Sequence, residues 1–383
     1  MVRSFWRAAL CAAAGLFFAG CASDGVGPFN DYKVEHTTAV ANVTRVTFRK
    51  MEEINPEVSP DGSEVAFQGY VREKNKLPHW ELWAVKTDTQ HQVRRITDHQ
   101  ADAMNPAWSP DGKTMFFTSK RTMNKGIWEI ASDGLGGVRQ LTEDDRYTAV
   151  EPTVSVDKRL AYCVVAQEGH CLDTVRQRYP PDYYIWLRDY DGANATEFVS
   201  GRTPKWSPDG RRLLFTKKSP DGDRCIWTVD SNGANLTQLT WHMDRNIHDV
   251  EPTWSPDGRK IAFASNRAAA FWQKWFGDHN YDIWVMNADG SGLTQLTTYS
   301  KIEGHPSWSH DGDIYFYTCG GMFIKNWDIW RMTPRLIEIG RPTERATREV
   351  DIEVRRQTKR TVPMPPPAAA APAPAPAPAV PSK

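Results

Sequence analysis

The chain has 383 residues, 40% of them hydrophobic, with 47 basic and 47 acidic side chains. That length can bury one large core or two ordinary ones, and a balanced charge with no basic stripe excludes a nucleic-acid footprint. Cysteine is sparse, at six residues, and no Cys-x-x-Cys spacing marks a zinc or dithiol centre.

Residues 1–20, "MVRSFWRAALCAAAGLFFAG", place Arg3 and Arg7 ahead of an apolar, small-residue run that is too short to span a bilayer. This is a secretory leader. It ends in "FAG" immediately before Cys21 and so resembles the lipobox of bacterial lipoproteins, with Phe18 where leucine is usual. The resemblance implies acylation of Cys21 and attachment to the membrane through that lipid. An ordinary leader with an incidental cysteine is the alternative. Ala22 and Ser23 lack the aspartate that retains such proteins in the inner membrane of enteric bacteria. An outer-membrane lipoprotein on the periplasmic side is therefore expected, with 21–39 as a lipidated linker.

From residue 40 to 340 the chain repeats itself. Pro56, Pro106, Pro152, Pro204, Pro252 and Pro306 open six units of about 50 residues, clearest in the fifth: "PTWSPDG", "KIAFAS", "DIWVMNADG", "LTQLT". Short runs rich in Ile, Val, Phe, Trp and Thr, separated by turn residues, predict four strands per unit, and no segment keeps a helical period. Six such units predict an all-β fold, a six-bladed β-propeller of four-stranded antiparallel blades. "VTRVT", Val43 to Thr47, matches "LTQLT" in sequence and in its distance from the next opening proline. It is expected to close the ring as the outer strand of blade six, in competition with "PTERAT", Pro342 to Thr347.

"WSPDG", the "IAF"-type strand, "SNR" at 265–267, "DIWVMNADG" and "LTQLT" resemble the propeller repeat of the TolB family over about three quarters of the chain. TolB carries an α/β domain ahead of its propeller, whereas only some twenty residues separate Cys21 from the first strand here. The resemblance implies a lipid-anchored TolB-like propeller. It also implies a protein partner such as the peptidoglycan-associated lipoprotein Pal, bound at a propeller face.

The recurrent Ser-Pro-Asp-Gly word is hairpin chemistry: proline pre-sets φ, aspartate or serine accepts a backbone N–H, and glycine takes the positive φ. Its aspartates are accordingly poor catalytic candidates. Blade three has the eroded "SVDK", and a further copy at Ser219–Gly222 sits between the second and third strands of blade four. These short turns occupy one face, leaving the long insertions on the other. Ten of the 16 tryptophans fall in predicted first or third strands and Trp6 in the leader. The remaining five, Trp80, Trp241, Trp272, Trp275 and Trp327, all map to loops of the insertion face. They are either local packing or anchors for a protein or glycan partner, peptidoglycan included.

The residues preceding the opening prolines, Asn55, Asn105, Glu151, Thr203, Glu251 and His305, are expected to ring the channel mouth on that same face. Such a ring suits a cation or a basic partner segment, against the alternative of a solvated channel. No metal or other cofactor is assigned. Cys163 and Cys171 can bridge a hairpin in an oxidising compartment.

No Gly-x-Ser-x-Gly elbow, phosphate loop or His-Glu-x-x-His motif is present, and no catalytic residue is assigned. A non-enzymatic binding module of the cell envelope is favoured. The alternative is an envelope carbohydrate-binding or carbohydrate-cleaving propeller, a lyase or glycosidase, using Glu151, Glu251 and His305. Residues 341–383 end in "PMPPPAAAAPAPAPAPAVPSK", which offers almost nothing to bury and is expected to be a disordered, extended tail.

Overall fold

A computed structural model describes residues 34–73, 77–88, 90–98, 101–142, 147–166, 183–190, 193–219, 222–242, 246–269, 280–299, 301–319 and 327–335. The leader, Cys21, Cys171, Trp272, Trp275, "PTERAT" and the Pro/Ala tail lie outside these residues. Six separate four-stranded antiparallel sheets form, five running in chain order from an inner to an outer strand and the sixth taking its outer strand from the N-terminal segment. The inner strands are Glu52–Val58, Ala103–Trp108, Tyr147–Val154, Arg202–Trp206, Asp249–Trp254 and Glu303–Trp308. Each packs against the next and the last against the first, so the sheets are blades around a channel. Among the described residues there is no helix.

The second strands read as continuous apolar runs because neighbouring blades cover both of their faces. Phe67, Phe117, Phe215, Phe263 and Phe316 are fully buried. Each is in register with a third-strand tryptophan: Trp83, Trp128, Trp227, Trp284 and Trp330 respectively. In blade three Tyr162 pairs with Trp186 instead. The core therefore lies in the seams between blades. One cluster, for example, joins Ala66 and Leu82 of blade one to Trp108, Met115 and Phe117 of blade two.

The threonine ending each "QLT" word, and the "RIT" of blade one, has a definite task. Thr97, Thr142, Thr240 and Thr297 accept, through Oγ1, the amide of Leu82, Ile127, Ile226 and Ile283 in the third strand of the same blade. Thr47 does the same for Ile329 at 3.0 Å, 282 residues away. The N-terminal strand Val40–Arg45 pairs antiparallel with Trp327–Pro334 and closes the ring. The sequence reading missed a second clasp just upstream. Thr37 N–H donates to Leu296 O, Thr298 N–H donates to Glu35 O, and Val34 is buried against blades five and six. One segment thus fastens the outer edges of both blades.

The Ser-Pro-Asp-Gly turns behave as the sequence indicates. In Ser59–Gly62 the Gly62 amide donates to Ser59 O, Ser59 Oγ donates to Asp61 at 2.6 Å, and Gly62 has φ of 74°. The serine bond, with a backbone N–H two residues on, holds Asp61, Asp111, Asp209 and Asp257 below their ordinary pKa. Those carboxylates are spent on the turn. Blade three keeps the turn without glycine, with Lys158 forced to φ of 63°.

Candidate functional site

Every blade breaks its inner ladder at the same place. The register between first and second strands shifts across the residue before the opening proline and that proline, a β-bulge repeated six times. Asn55, Asn105, Glu151, Thr203, Glu251 and His305 all occupy it with φ between 49° and 56°. That is left-handed backbone, uncommon for any of these types and a true outlier for β-branched Thr203. All six expected ring residues are thus brought together in one conformation, and all are half-buried.

The bulge frees one amide per blade, and in four blades the preceding blade satisfies it. Gln68 Oε1 accepts from Asn105 N–H at 2.9 Å, and Thr118 Oγ1 accepts from Glu151 N–H at 3.2 Å. Gln68 and Thr118 stand at equivalent second-strand positions, opposite Ile54 and Met104. Blades three and five have Cys163 and Ala264 there. In those two blades the ring glutamate takes over: Glu151 Oε2 accepts from Thr203 N–H at 2.8 Å, and Glu251 Oε2 accepts from His305 N–H at 2.7 Å. Glu151 is further engaged by the Arg202 guanidinium and by the Cys163 thiol. Cys163 itself is a buried free thiol, raised above its ordinary range by burial and by the Glu151 charge. Its expected disulfide partner, Cys171, lies outside the described residues.

One residue deeper, the channel is crossed. Glu57 and Lys205 follow the opening prolines of blades one and four, half a ring apart, and pair at 2.5 Å. The equivalent residues of the other blades, Ala107, Thr153, Thr253 and Ser307, are small. The mouth is therefore a cup with an ionic floor. Burial, reinforced by the Lys205 charge, lowers His305 to about 3, so its ring is neutral at neutral pH. Among the described residues no group of three His, Cys, Asp or Glu side chains is arranged to hold a metal.

Around the cup runs an outer ring, two residues before the third-strand Leu or Ile: Trp80, Lys125, Tyr183, Arg224, Tyr281 and Trp327. Two of the five tryptophans expected in loops, Trp80 and Trp327, lie instead at the beginnings of third strands, in equivalent places. Both are half-buried, Trp80 against Tyr70 at 4.9 Å and Trp327 against Tyr317 at 5.4 Å between ring centroids. Trp241 is 57% exposed. Exposed apolar side chains occur on both faces: Phe48, Leu77, Met123 and Trp241 here, Leu135, Val156, Leu236 and Leu293 on the short-turn face. The aromatic ones are on the cup side.

Between blades four, five and six the cup deepens into a cavity of about 250 Å³, lined among others by Arg202, Arg224, Glu251, Tyr281, Gly304 and Tyr317. It exists because Ala264 and Gly304 are small where other blades carry Gln68 or Thr118 and Ile54 or Met104. A Cβ at residue 304 would lie 2.6 Å from the Tyr317 hydroxyl and 2.9 Å from Glu251 Oε2. The sequence reading missed Arg202, Arg224, Tyr281 and Tyr317. The repeat alignment holds the signal for them, since each is a blade's exception at a fixed repeat position.

No protein-family model matches the chain. Over 125 residues it is 31% identical to the Tol-Pal system protein TolB of Anaeromyxobacter dehalogenans, a stretch that is 32% of this chain and 25% of that protein. The match spans only about a quarter of that relative's length. Among solved structures, a protein described as TolB from Agrobacterium tumefaciens superimposes with a TM-score of 0.54 at 21% identity, over 76% of this chain and 97% of that one. An oligogalacturonate lyase from Vibrio parahaemolyticus gives 0.51 at 14% identity, over 79% and 95%. At these identities the likeness to both structures is one of fold, and the repeat words with the 125-residue match supply the likeness in sequence. The chain carries a TolB-like six-bladed β-propeller.

Proposed function

We propose that this propeller is a non-enzymatic protein-binding module of the bacterial cell envelope, using the cup face to hold a partner. The cup carries the reading: an aromatic and cationic rim surrounds a polar recess that an ion pair crosses at its floor. Large aromatic side chains with polar tips bury area at low entropic cost, as interface anchors do. Likeness to a Tol-Pal system protein supports an envelope protein as partner, such as a Pal-like peptidoglycan-associated lipoprotein. The hydrogen-bonding capacity of Glu151 and Glu251 goes largely into joining blades, which weighs against their use as an acid–base pair.

The leader and Cys21 support anchoring at the outer membrane on its periplasmic side. In this reading residues 1–20 are the leader and 341–383 the extended tail, and the lipidated linker expected over 21–39 is shortened at its end, because residues 34–37 dock on the propeller that continues to residue 340. Crosslinking in living cells with a photoreactive residue at position 241, followed by identification of the captured protein, tests the reading. Capture of one envelope protein, lost when Trp80 or the pair Trp272 and Trp275 become alanine, supports it. Turnover of glycan fragments that disappears in Glu251→Gln would replace it with the carbohydrate-cleaving alternative. A Cys21→Ser chain that stays in the outer-membrane fraction would remove the lipid anchor.

A further inference from the structure

The cavity between blades four, five and six has a chemical bias that narrows what enters it. Arg224, at the start of a third strand, lines the cavity, is exposed, and has no ion-pair partner among the described residues. Arg202 lines it too, stacked 4.7 Å from the Tyr183 ring centroid, and its buried Nε–H has no hydrogen-bond partner. Burial pushes Tyr281 up to about 12, so its hydroxyl stays protonated.

The carboxyl groups nearby do not cancel these cations. Glu151 is neutralised by Arg202. Burial holds Glu303 well above the carboxylate range, hence uncharged, and raises Glu251 as well. On the outer ring the charged members are Lys125 and Arg224, with no acid at that position in any blade. An unpaired guanidinium beside a second, incompletely satisfied one is a fork for a carboxylate, which it can grip through two parallel N–H bonds. At about 250 Å³ the cavity falls below the roughly 300–1,000 Å³ of sites for drug-sized ligands, so it suits one side chain of a larger partner.

We infer that the cavity receives a carboxylate group of the protein partner, an aspartate or glutamate side chain or a free C-terminus, gripped by Arg224 and Arg202 between Tyr281 and Tyr317. The ring glutamates on their own suggest a basic segment. The structure favours the opposite sign, because one glutamate is paired and burial raises the other, while Arg224 makes no ion pair among the described residues.

This inference rests on the reading of the propeller as a protein-binding module. The test is to present the immobilised full chain with a library of random 12-residue peptides bearing free carboxyl termini and to measure the retained peptides by calorimetry. The expected result is that they share an acidic residue or use their terminus, and that converting this group to its amide weakens binding roughly tenfold or more. Arg224→Gln causes the same loss and abolishes the distinction between acid and amide, and Arg224→Glu shifts the preference to lysine peptides. Arg224 is exposed, so neither variant disturbs a seam. Retained peptides that lack a carboxylate requirement, or that bind wild type and Arg224→Gln alike, overturn the inference, as does retention of no peptide. Displacement of the best peptide by D-galacturonate at lower concentration than by the free acidic peptide assigns the cavity to glycans instead. An envelope partner captured at position 241 with equal yield in Arg224→Gln sinks the carboxylate pocket alone. Loss of capture in every cup variant together with absence of peptide binding sinks the module.

Discussion

Lys205 Nζ and Glu57 Oε2 lie 2.5 Å apart although the residues are 148 positions distant and stand on opposite blades. Both backbones are fixed from the next blade: Trp108 Nε1–H donates to Glu57 O, and Trp254 Nε1–H donates to Lys205 O. The pair acts as a strut across the channel. Removing one charge leaves the other in a narrow, largely desolvated space, so Lys205→Met alone is expected to cost about 1–3 kcal/mol. The double variant Glu57→Gln/Lys205→Met should cost less than Lys205→Met alone. Denaturant unfolding of the four members of the cycle checks this; strictly additive losses would mean that the two groups do not interact.

Ring closure depends on one N-terminal segment. Deleting residues 34–48 removes the outer strand of blade six, the Thr47 bond to Ile329 and the clasp on blade five. The melting temperature is expected to collapse or the transition to broaden. A shorter deletion, of residues 34–38, removes only the blade-five clasp and should give a smaller drop. An unchanged melt for the longer deletion would show that another segment closes the ring.

The repeat made the blades, the closing strand and even the mouth ring legible in sequence, because strands, turn words and opening prolines recur in phase. What recurrence cannot reveal is which blade departs from it. Cys163 and Ala264 look like ordinary strand residues, yet their failure to accept an amide is what commits Glu151 and Glu251 to the next blade. Gly304 likewise reads as a weak point in a strand and instead opens the cavity. Glu57 pairing with Lys205 joins distant blades across the channel, and no local pattern encodes it.

Blade three turns without glycine. Lys158 holds φ of 63° in the place where the other hairpins use glycine, and its amide still donates to Ser155 O at 3.0 Å. A side chain in left-handed backbone costs about 1–2 kcal/mol, and the greater freedom of unfolded glycine offsets part of that. Lys158→Gly should therefore stabilise the protein by about 0.5–1 kcal/mol, seen as a higher urea midpoint at constant slope.

Glu53 gives the closing seam a pH dependence. It is fully buried, faces Thr47 and Asp328, and is raised by burial from its ordinary 4.5 to about 8. A carboxyl whose folded pKa is raised contributes stability that is complete below pH 4.5 and is lost as pH rises through 8. Glu53→Gln should match wild type at pH 4.5 and melt a few degrees higher at pH 8.5. His305 acts with the opposite sign: its folded value of about 3 penalises the native state as pH falls below 6.5. Comparing the Glu53→Gln variant with wild type at each pH isolates Glu53. A constant difference across the range would mean that Glu53 keeps its ordinary pKa.

The division of labour between ring glutamates and second-strand residues can be tested by exchange. Glu251 Oε2 is the acceptor for the His305 amide, so Glu251→Ala orphans a buried N–H at a cost of about 1–3 kcal/mol. Glu251→Gln retains an acceptor and should cost far less, which makes it the cleaner variant for any activity measurement. Ala264 stands where Thr118 stands in blade two, and Thr118 Oγ1 accepts from the next blade's bulge amide at 3.2 Å. Ala264→Thr places a hydroxyl in the cavity facing the same kind of amide, and in the Glu251→Ala background it should restore part of the lost stability. In the wild-type background it should give no such gain, because the amide is already satisfied. Urea midpoints of the two single variants and the double variant decide the matter: an Ala264→Thr effect identical in both backgrounds would separate Glu251 from the amide and return it to the candidates for chemistry.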